Sequence, residues 1–81
     1  MEIRLYALST CMHCRNTKDL LNDYEVVYDC VYVDTLEGDE RKSTIAQIRE
    51  HNPKCSFPTL IVGEHVIVGF QKDKIREALG L

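Results

Sequence analysis

Two cysteines separated by two residues are the side chains of this sequence best suited to chemistry. Cys11 and Cys14 lie between an apolar run at 3–8, which predicts a strand, and a run at 16–21, which predicts a helix. At such a junction one sulfur lies at a helix N-terminus, where unpaired N–H groups and the helix dipole favour a thiolate. We therefore predict that Cys11 attacks a disulfide, and that Cys14, about one helical turn further on, resolves the mixed disulfide.

The same cysteine spacing also occurs in half of a zinc site, so a metal-binding module is an alternative interpretation. In this alternative, Cys11 and Cys14 hold zinc or an iron–sulfur cluster without catalysis, and Cys30, Cys55 or a histidine completes the site. The sequence has no second CxxC motif and no close pair of histidines. We therefore expect neither a metal site nor a bound cofactor.

The two other cysteines have simpler interpretations. Cys30 falls within an apolar, β-branched segment and is expected to be a small buried side chain. Cys55 lies three residues before Pro58, and we interpret it as a tolerated loop residue, with a third redox-active thiol as the alternative. Tyr6 is expected to pack in the core beneath the cysteine pair, with a lining role in the site as its alternative.

Length and charge narrow the possible functions. The 81 residues form one predicted domain spanning 1–81, with no room for a second core. The formal charge is −3 and the basic residues are scattered, which argues against nucleic acid as a partner. No signal-peptide pattern and no run long enough to cross a membrane is evident. With cysteines in a CxxC pair, we expect a monomer in the reducing cytoplasm.

The order of the predicted elements gives the fold class. Strand 25–33 follows a first helix that extends to residue 24, and a parallel β-α-β unit is therefore expected. Two strands joined by a turn at 63–64 form a hairpin. The predicted order is βαβ-α-ββ-α, an α/β domain with a four-stranded sheet and helices on its faces. The later elements are a helix at 40–51, strands at 60–62 and 65–68, and a helix at 72–79.

Three segments of the chain resemble the glutaredoxin family, a small branch of the thioredoxin fold. They are Cys11-Met12-His13-Cys14, Phe57-Pro58-Thr59 and Val68-Gly69-Phe70. The resemblance implies a mixed four-stranded sheet flanked by three helices, and a dithiol–disulfide oxidoreductase that acts on protein disulfides. It also implies that Pro58 follows a cis peptide bond and faces the cysteine pair.

The resemblance also suggests which residues tune the reaction and contact the partner protein. Met12 and His13, between the cysteines, are expected to influence the redox potential and the fit to partners. Thr59 is expected to offer its backbone N–H and C=O to an extended partner chain. Phe57, Gly69 and Phe70 complete the expected partner-binding set.

The source of electrons is suggested by departures from the glutathione-dependent members. Those members usually have a basic residue where Leu8 stands, a second glycine where Phe70 stands and a threonine where Lys72 stands; Asp73 matches their acidic residue. Segment 69–73 instead resembles the NrdH-type redoxins, which serve ribonucleotide reductase and are recharged by a flavin thioredoxin reductase. We therefore expect a thioredoxin-reductase-type donor, flavin- or ferredoxin-dependent, rather than glutathione; an ordinary glutathione-dependent glutaredoxin is the alternative.

Overall fold

The computed structural model describes residues 2–81 and contains one four-stranded mixed sheet with three α-helices. The strand order is β2-β1-β3-β4; β1 and β2 are parallel, and the other pairs are antiparallel. This architecture confirms the predicted fold class and element order. The elements are β1 (Ile3–Ala7), α1 (Met12–Asp23), β2 (Asp29–Tyr32), α2 (Gly38–His51), β3 (Thr59–Val62), β4 (His65–Val68) and α3 (Lys72–Ala78), with a short 3₁₀ turn (Val33–Thr35) between β2 and α2.

The central strand β1 is covered on both faces. Successive side chains of a strand point to opposite faces, and here Leu5 and Ala7 are buried on one face and Tyr6 on the other. Leu5 packs into a core cluster with residues of α1 and α3, whereas Tyr6 packs with Ile48 of α2. Helices α1 and α3 therefore cover one face and α2 covers the other. Tyr6 is buried, as predicted, with 3% of it exposed, but it packs beneath α2 and not in the cluster that contains Cys14.

The second strand is shorter than predicted. The β-branched run at 25–33 favours a long strand, but β2 contains only Asp29–Tyr32. Those four residues pair with the four residues of β1 from Arg4 to Ala7. The preceding residues instead form the return from α1: Glu25 has a φ of 56°, and Val27 is 91% exposed. Availability of a partner strand, rather than residue preference, sets the length of β2.

Two helices begin earlier than predicted. Helix α1 begins at Met12 rather than near residue 16, because Cys11 serves as its N-cap. Helix α2 begins at Gly38, two residues before the predicted start at 40. The charged start of α2 is exposed, as expected for a solvated helix end. Within residues 2–81, no helix combines the length and apolar character needed to cross a membrane.

The register of the sheet brings three distant segments to one edge. Tyr6 near the end of β1 pairs with Thr59 at the start of β3, and Thr59 pairs with Val68 at the end of β4. The segments that continue from these ends are the loop containing Cys11, the loop containing Pro58 and the residues Gly69 and Phe70. The topology thus assembles the three segments predicted from sequence at the same edge of the sheet.

Candidate active site

Cys11 occupies the N-cap position of α1. Its backbone is extended, with φ −91° and ψ 119°, and its sulfur accepts a hydrogen bond from the Cys14 N–H at 3.2 Å. The first turn of α1 contains no acidic residue. Cys11 is half-buried, and so it retains access to solvent. The sulfur therefore lies where an N–H donor and the positive end of the helix stabilise negative charge.

Cys14 lies behind Cys11 in a buried position. Only 1% of it is exposed, and it belongs to the core cluster formed with α3 and β1. Burial, and next the hydrogen bond with Cys11, raise the pKa of the Cys14 thiol to about 12, against an opposing backbone contact from Leu8. The prediction that Cys14 is less exposed than Cys11 is confirmed. Both cysteines are free thiols in this structure.

The peptide bond between Phe57 and Pro58 is cis, as the family resemblance implies. Pro58 is fully buried, and its carbonyl accepts a hydrogen bond from the Gly69 N–H at 2.9 Å. Phe57 is half-buried and packs against the hydrophobic clusters on both faces of the sheet. The proline loop is thereby joined to the end of β4 and to both halves of the core.

Thr59 does not have the role expected of it. It pairs with Tyr6 on one side and with Val68 on the other, and none of it is exposed. The first residue of a central strand has both neighbours in place, so its backbone groups are not available to a partner chain. The expectation of strand addition at Thr59 is therefore wrong. Its buried hydroxyl instead donates to the Ser56 carbonyl at 2.7 Å and stabilises the proline loop.

Exposed residues follow Cys11 in the chain and also occur after β4, at the same end of the sheet. Met12 is 74% exposed, and His13 is also exposed. Phe70 is 36% exposed and follows Gly69, whose φ of +81° turns the chain after β4. Met12 and Phe70 are thus large apolar side chains that remain accessible next to the segments carrying Cys11 and Pro58.

A groove of about 350 Å³ opens beside the cysteine pair. Cys11, Cys14, Leu8, Ser9, Lys18 and Tyr32 are among the residues that line it. The Lys18 ammonium donates a hydrogen bond to the Tyr32 hydroxyl and lies 4.9 Å from the centre of the tyrosine ring. The hydrogen bond to Tyr32 raises the pKa of Lys18, so the groove carries a positive charge at neutral pH.

Comparison with known proteins agrees with this geometry. A model of the glutaredoxin family matches residues 3–67. The chain belongs to the glutaredoxin family. Among solved structures, methanoredoxin from Methanosarcina acetivorans is 48% identical, with a TM-score of 0.94, and the match covers 99% of this chain and 85% of that one.

Two further structures show how far the likeness extends. Glutaredoxin from Archaeoglobus fulgidus is 32% identical, with a TM-score of 0.92 and coverage of 96% of this chain and 85% of that one. NrdH-redoxin from Escherichia coli is 21% identical, with a TM-score of 0.74 and coverage of 95% and 93%, and it shares the fold. A search of curated protein sequences gave no match. The chain is therefore a glutaredoxin-like redox protein with a close cysteine pair.

Sequence reasoning missed one buried residue that supports the site of this glutaredoxin. The Asn52 amide donates to the Ser56 carbonyl at 3.2 Å, to the Ser56 hydroxyl at 3.1 Å and to the Thr59 hydroxyl at 3.1 Å. The backbone carbonyl of Asn52 accepts a hydrogen bond from the Cys55 N–H at 2.9 Å. The sequence showed Asn52 only as the end of a helix before a proline, and no local signal pointed to the loop that it holds.

A second residue that was missed lies just after β2. The carboxylate of Asp34 accepts hydrogen bonds from the backbone N–H of Ser9, at 3.0 Å, and from the Ser9 hydroxyl. These bonds hold the pKa of Asp34 below its usual value. The available signal was positional: Asp34 follows the carboxyl end of a strand parallel to β1, at the edge where sites form in parallel sheets.

The remaining cysteines are half-buried. Cys30 packs against the core cluster beneath α1 but is not fully buried, because β2 is an edge strand. Its expected burial is therefore only partly correct. Cys55 lies in the loop before Pro58, with a φ of 50°, and packs against the cluster beneath α2. Across residues 2–81, no three or more His, Cys, Asp or Glu side chains come together in a way that could hold a metal ion.

Proposed function

We propose that this glutaredoxin is a dithiol–disulfide oxidoreductase that reduces disulfides in partner proteins. The observation that carries the proposal is the arrangement of the two thiols: Cys11 accessible at the helix N-cap, and Cys14 buried directly behind it. The accessible sulfur meets the substrate and the buried sulfur meets only Cys11. Such an arrangement separates attack from resolution.

The reaction proceeds by two thiol–disulfide exchanges. The Cys11 thiolate attacks one sulfur of the substrate disulfide, a mixed disulfide forms, and the other substrate sulfur leaves as a thiolate that takes up a proton. Cys14 then loses its proton and attacks the Cys11 sulfur. The second substrate sulfur leaves, and a disulfide joins Cys11 to Cys14. Two electrons have passed to the substrate, and a reductase must return them.

A protein is the proposed substrate because apolar side chains remain accessible around the reactive sulfur. Met12 and Phe70 are exposed, although the rest of the apolar surface near the site is buried in the two clusters. Burial of large apolar side chains is a major source of binding energy at protein interfaces. We propose that Met12, His13, Phe57, Gly69 and Phe70 form the contact surface for partner proteins, with the buried Pro58 and Thr59 supporting it from within.

The proposed electron donor is a thioredoxin-reductase-type enzyme rather than glutathione. Leu8 is packed against the core cluster beneath α2 and supplies no charge for a carboxylate. The Gly69 N–H is engaged by the Pro58 carbonyl, and Phe70 stands beside it where a small ligand's backbone would need to approach. Lys72 opens α3, and Asp73 in its first turn is the acidic position that remains.

A coupled turnover assay tests the proposal directly. The oxidised protein is offered glutathione with glutathione reductase, a flavin thioredoxin reductase, or a ferredoxin-dependent reductase, at matched driving force. Insulin serves as a general protein disulfide, and ribonucleotide reductase is the specific substrate suggested by the NrdH-like segment 69–73. Failure to reduce either protein disulfide with any donor would refute the oxidoreductase.

The competing function is a metal- or cluster-binding module that uses the same cysteine pair. We propose that the protein is a cytoplasmic monomer, and it should therefore be purified from cells without oxygen and analysed for zinc, iron and sulfide. Stoichiometric metal that is present in the wild type but absent from the Cys11→Ser and Cys14→Ser variants would support that function. Metal-free protein with full disulfide reductase activity would support the oxidoreductase.

A further inference from the structure

Asp34 ties the turn that carries Cys11 to the end of β2. Its carboxylate accepts two hydrogen bonds from Ser9, one from the backbone N–H and one from the hydroxyl, across 25 residues of sequence. Ser9 lies two residues before Cys11 and also lines the groove beside the cysteine pair. The contact therefore reaches the reactive sulfur through a very short length of chain.

The topology makes this contact possible. Ala7 and Tyr32 are paired in the parallel register, so the segments that follow β1 and β2 leave the sheet side by side at the same edge. The chain after β1 enters the turn at Ser9, while the chain after β2 enters the 3₁₀ turn that contains Asp34. Because β1 and β2 are parallel neighbours, a side chain in the segment that follows β2 can form a hydrogen bond with the backbone of the segment that follows β1.

Few other contacts hold the turn. Within residues 2–81, the bonds to Asp34 are the only side-chain hydrogen bonds that residues 8–10 make. The backbone contributes the Cys11 N–H bond to the Leu8 carbonyl, which is long at 3.3 Å. Leu8 and Cys11, at the two ends of the turn, pack against the core clusters, and the Cys11 carbonyl accepts a hydrogen bond from the Arg15 N–H at 3.1 Å. Ser9 and Thr10 between them are exposed, so the bonds to Asp34 are the contacts that fix this middle part of the turn.

We propose that Asp34 is a positioning residue for disulfide exchange, and that its hydrogen bonds with Ser9 keep Cys11 at the N-cap of α1. This inference rests on the proposed oxidoreductase function. Without these hydrogen bonds, the turn samples other conformations, and the Cys11 sulfur spends less time accepting the hydrogen bond from the Cys14 N–H. Cys11 then loses the stabilisation of its thiolate and attacks disulfides more slowly.

Asp34→Ala would remove a negative charge together with the hydrogen bonds. Because a carboxylate in general disfavours a nearby thiolate, the effect of the charge has to be controlled separately from the effect of the hydrogen bonds. The two effects can be separated by substitution. Asp34→Ala removes both hydrogen bonds and the negative charge. Asp34→Asn removes the charge but retains an oxygen that can accept a hydrogen bond from Ser9. Ser9→Ala removes the hydroxyl hydrogen bond but retains the charge of Asp34.

The experiment measures alkylation of Cys11 by iodoacetamide at pH 7, together with kcat/KM for insulin reduction. Glu37→Gln and Glu37→Ala are matched controls, because Glu37 is an exposed carboxylate nearby that makes no capping hydrogen bond. We expect Asp34→Ala to slow both rates on the order of three- to tenfold. Ser9→Ala should slow them less, Asp34→Asn should recover part of the loss, and the Glu37 controls should match wild type.

A double-mutant cycle adds a second criterion. If Asp34 acts through Ser9, the Ser9→Ala/Asp34→Ala variant should react no more slowly than Asp34→Ala alone. Additive effects, an Asp34→Ala rate equal to that of Glu37→Ala, or faster alkylation in Asp34→Ala would each overturn the proposal. Alkylation needs no substrate protein, so it still tests the positioning if insulin is not reduced. Circular dichroism confirms that each variant is folded, and Ser9→Ala serves if Asp34→Ala does not fold.

Discussion

Replacement of Asn52 tests whether a buried amide holds the proline loop. Asn52 is 6% exposed, and its amide supplies hydrogen bonds to three acceptors on Ser56 and Thr59. In Asn52→Ala these acceptors lose that donor. The Thr59 hydroxyl still donates to the Ser56 carbonyl at 2.7 Å, so the loop keeps one of its bonds. We therefore expect a loop that is weakened but not released.

The magnitude follows from the cost of leaving buried polar atoms without partners. Such a loss costs about 1–3 kcal/mol of unfolding free energy. In a domain of this size, 1 kcal/mol shifts Tm by about 4–8 °C, which gives a decrease of roughly 5–25 °C. Asn52→Asp should cost more at neutral pH, because a carboxylate cannot donate and would place a buried charge against the Ser56 carbonyl oxygen.

Urea and thermal unfolding of reduced protein measure these differences. Asn16→Ala is the matched control, since Asn16 is exposed on α1 and its loss should change Tm little. Acid should narrow the gap between Asn52→Asp and Asn52→Ala, because burial raises the pKa of the introduced carboxyl group and its protonated form can donate one bond. Equal stability of Asn52→Ala and Asn16→Ala, or Asn52→Asp no less stable than Asn52→Ala, would refute this account of the loop.

Three further predictions concern the reaction itself. Cys14→Ser should trap a mixed disulfide with insulin while Cys11→Ser traps none, and mass spectrometry that finds the adduct on Cys14 would reverse the roles. Because burial raises the pKa of the Cys14 thiol above its usual value, resolution should quicken up to tenfold per pH unit from pH 6 to 8 in rapid-quench experiments, and a pH-independent rate would contradict this prediction. Glutathione should reduce the Cys11–Cys14 disulfide more slowly than a thioredoxin reductase does. Phe70→Gly combined with Lys72→Thr should raise the glutathione rate, and a wild-type rate with glutathione that equals the reductase rate would show that these positions do not matter.

The sequence predicted the parts of this protein that depend on local pattern. The CxxC motif between a strand and a helix located Cys11 and Cys14, and the apolar run at 3–8 located β1. The residues that it missed act over distance. Asn52, at the end of α2, contacts the proline loop, and Asp34, in the turn after β2, contacts the turn before Cys11. No pattern in the surrounding sequence predicts either contact.

The error at Thr59 has a different origin. A threonine after a proline is compatible with an exposed strand edge and with a central strand, and only the sheet order distinguishes them. Because β3 lies between β1 and β4, Thr59 has neighbours on both sides. The length of β2 was overestimated because residues 25–28 favour a strand, whereas the turn that follows α1 occupies them and pairing with β1 begins only at Asp29.

The different depths of the two thiols suit the two successive steps that we propose for them. Cys11 lies outside the first turn of α1, whereas Cys14 faces the core from within that turn. Burial keeps Cys14 protonated while Cys11 meets the substrate, so Cys11 rather than Cys14 is expected to attack the substrate disulfide. Once Cys11 is part of a mixed disulfide, its hydrogen bond with the Cys14 thiol no longer raises the pKa of Cys14. Substrate attachment should therefore lower the barrier to resolution, which couples the second step to the first without movement of the backbone.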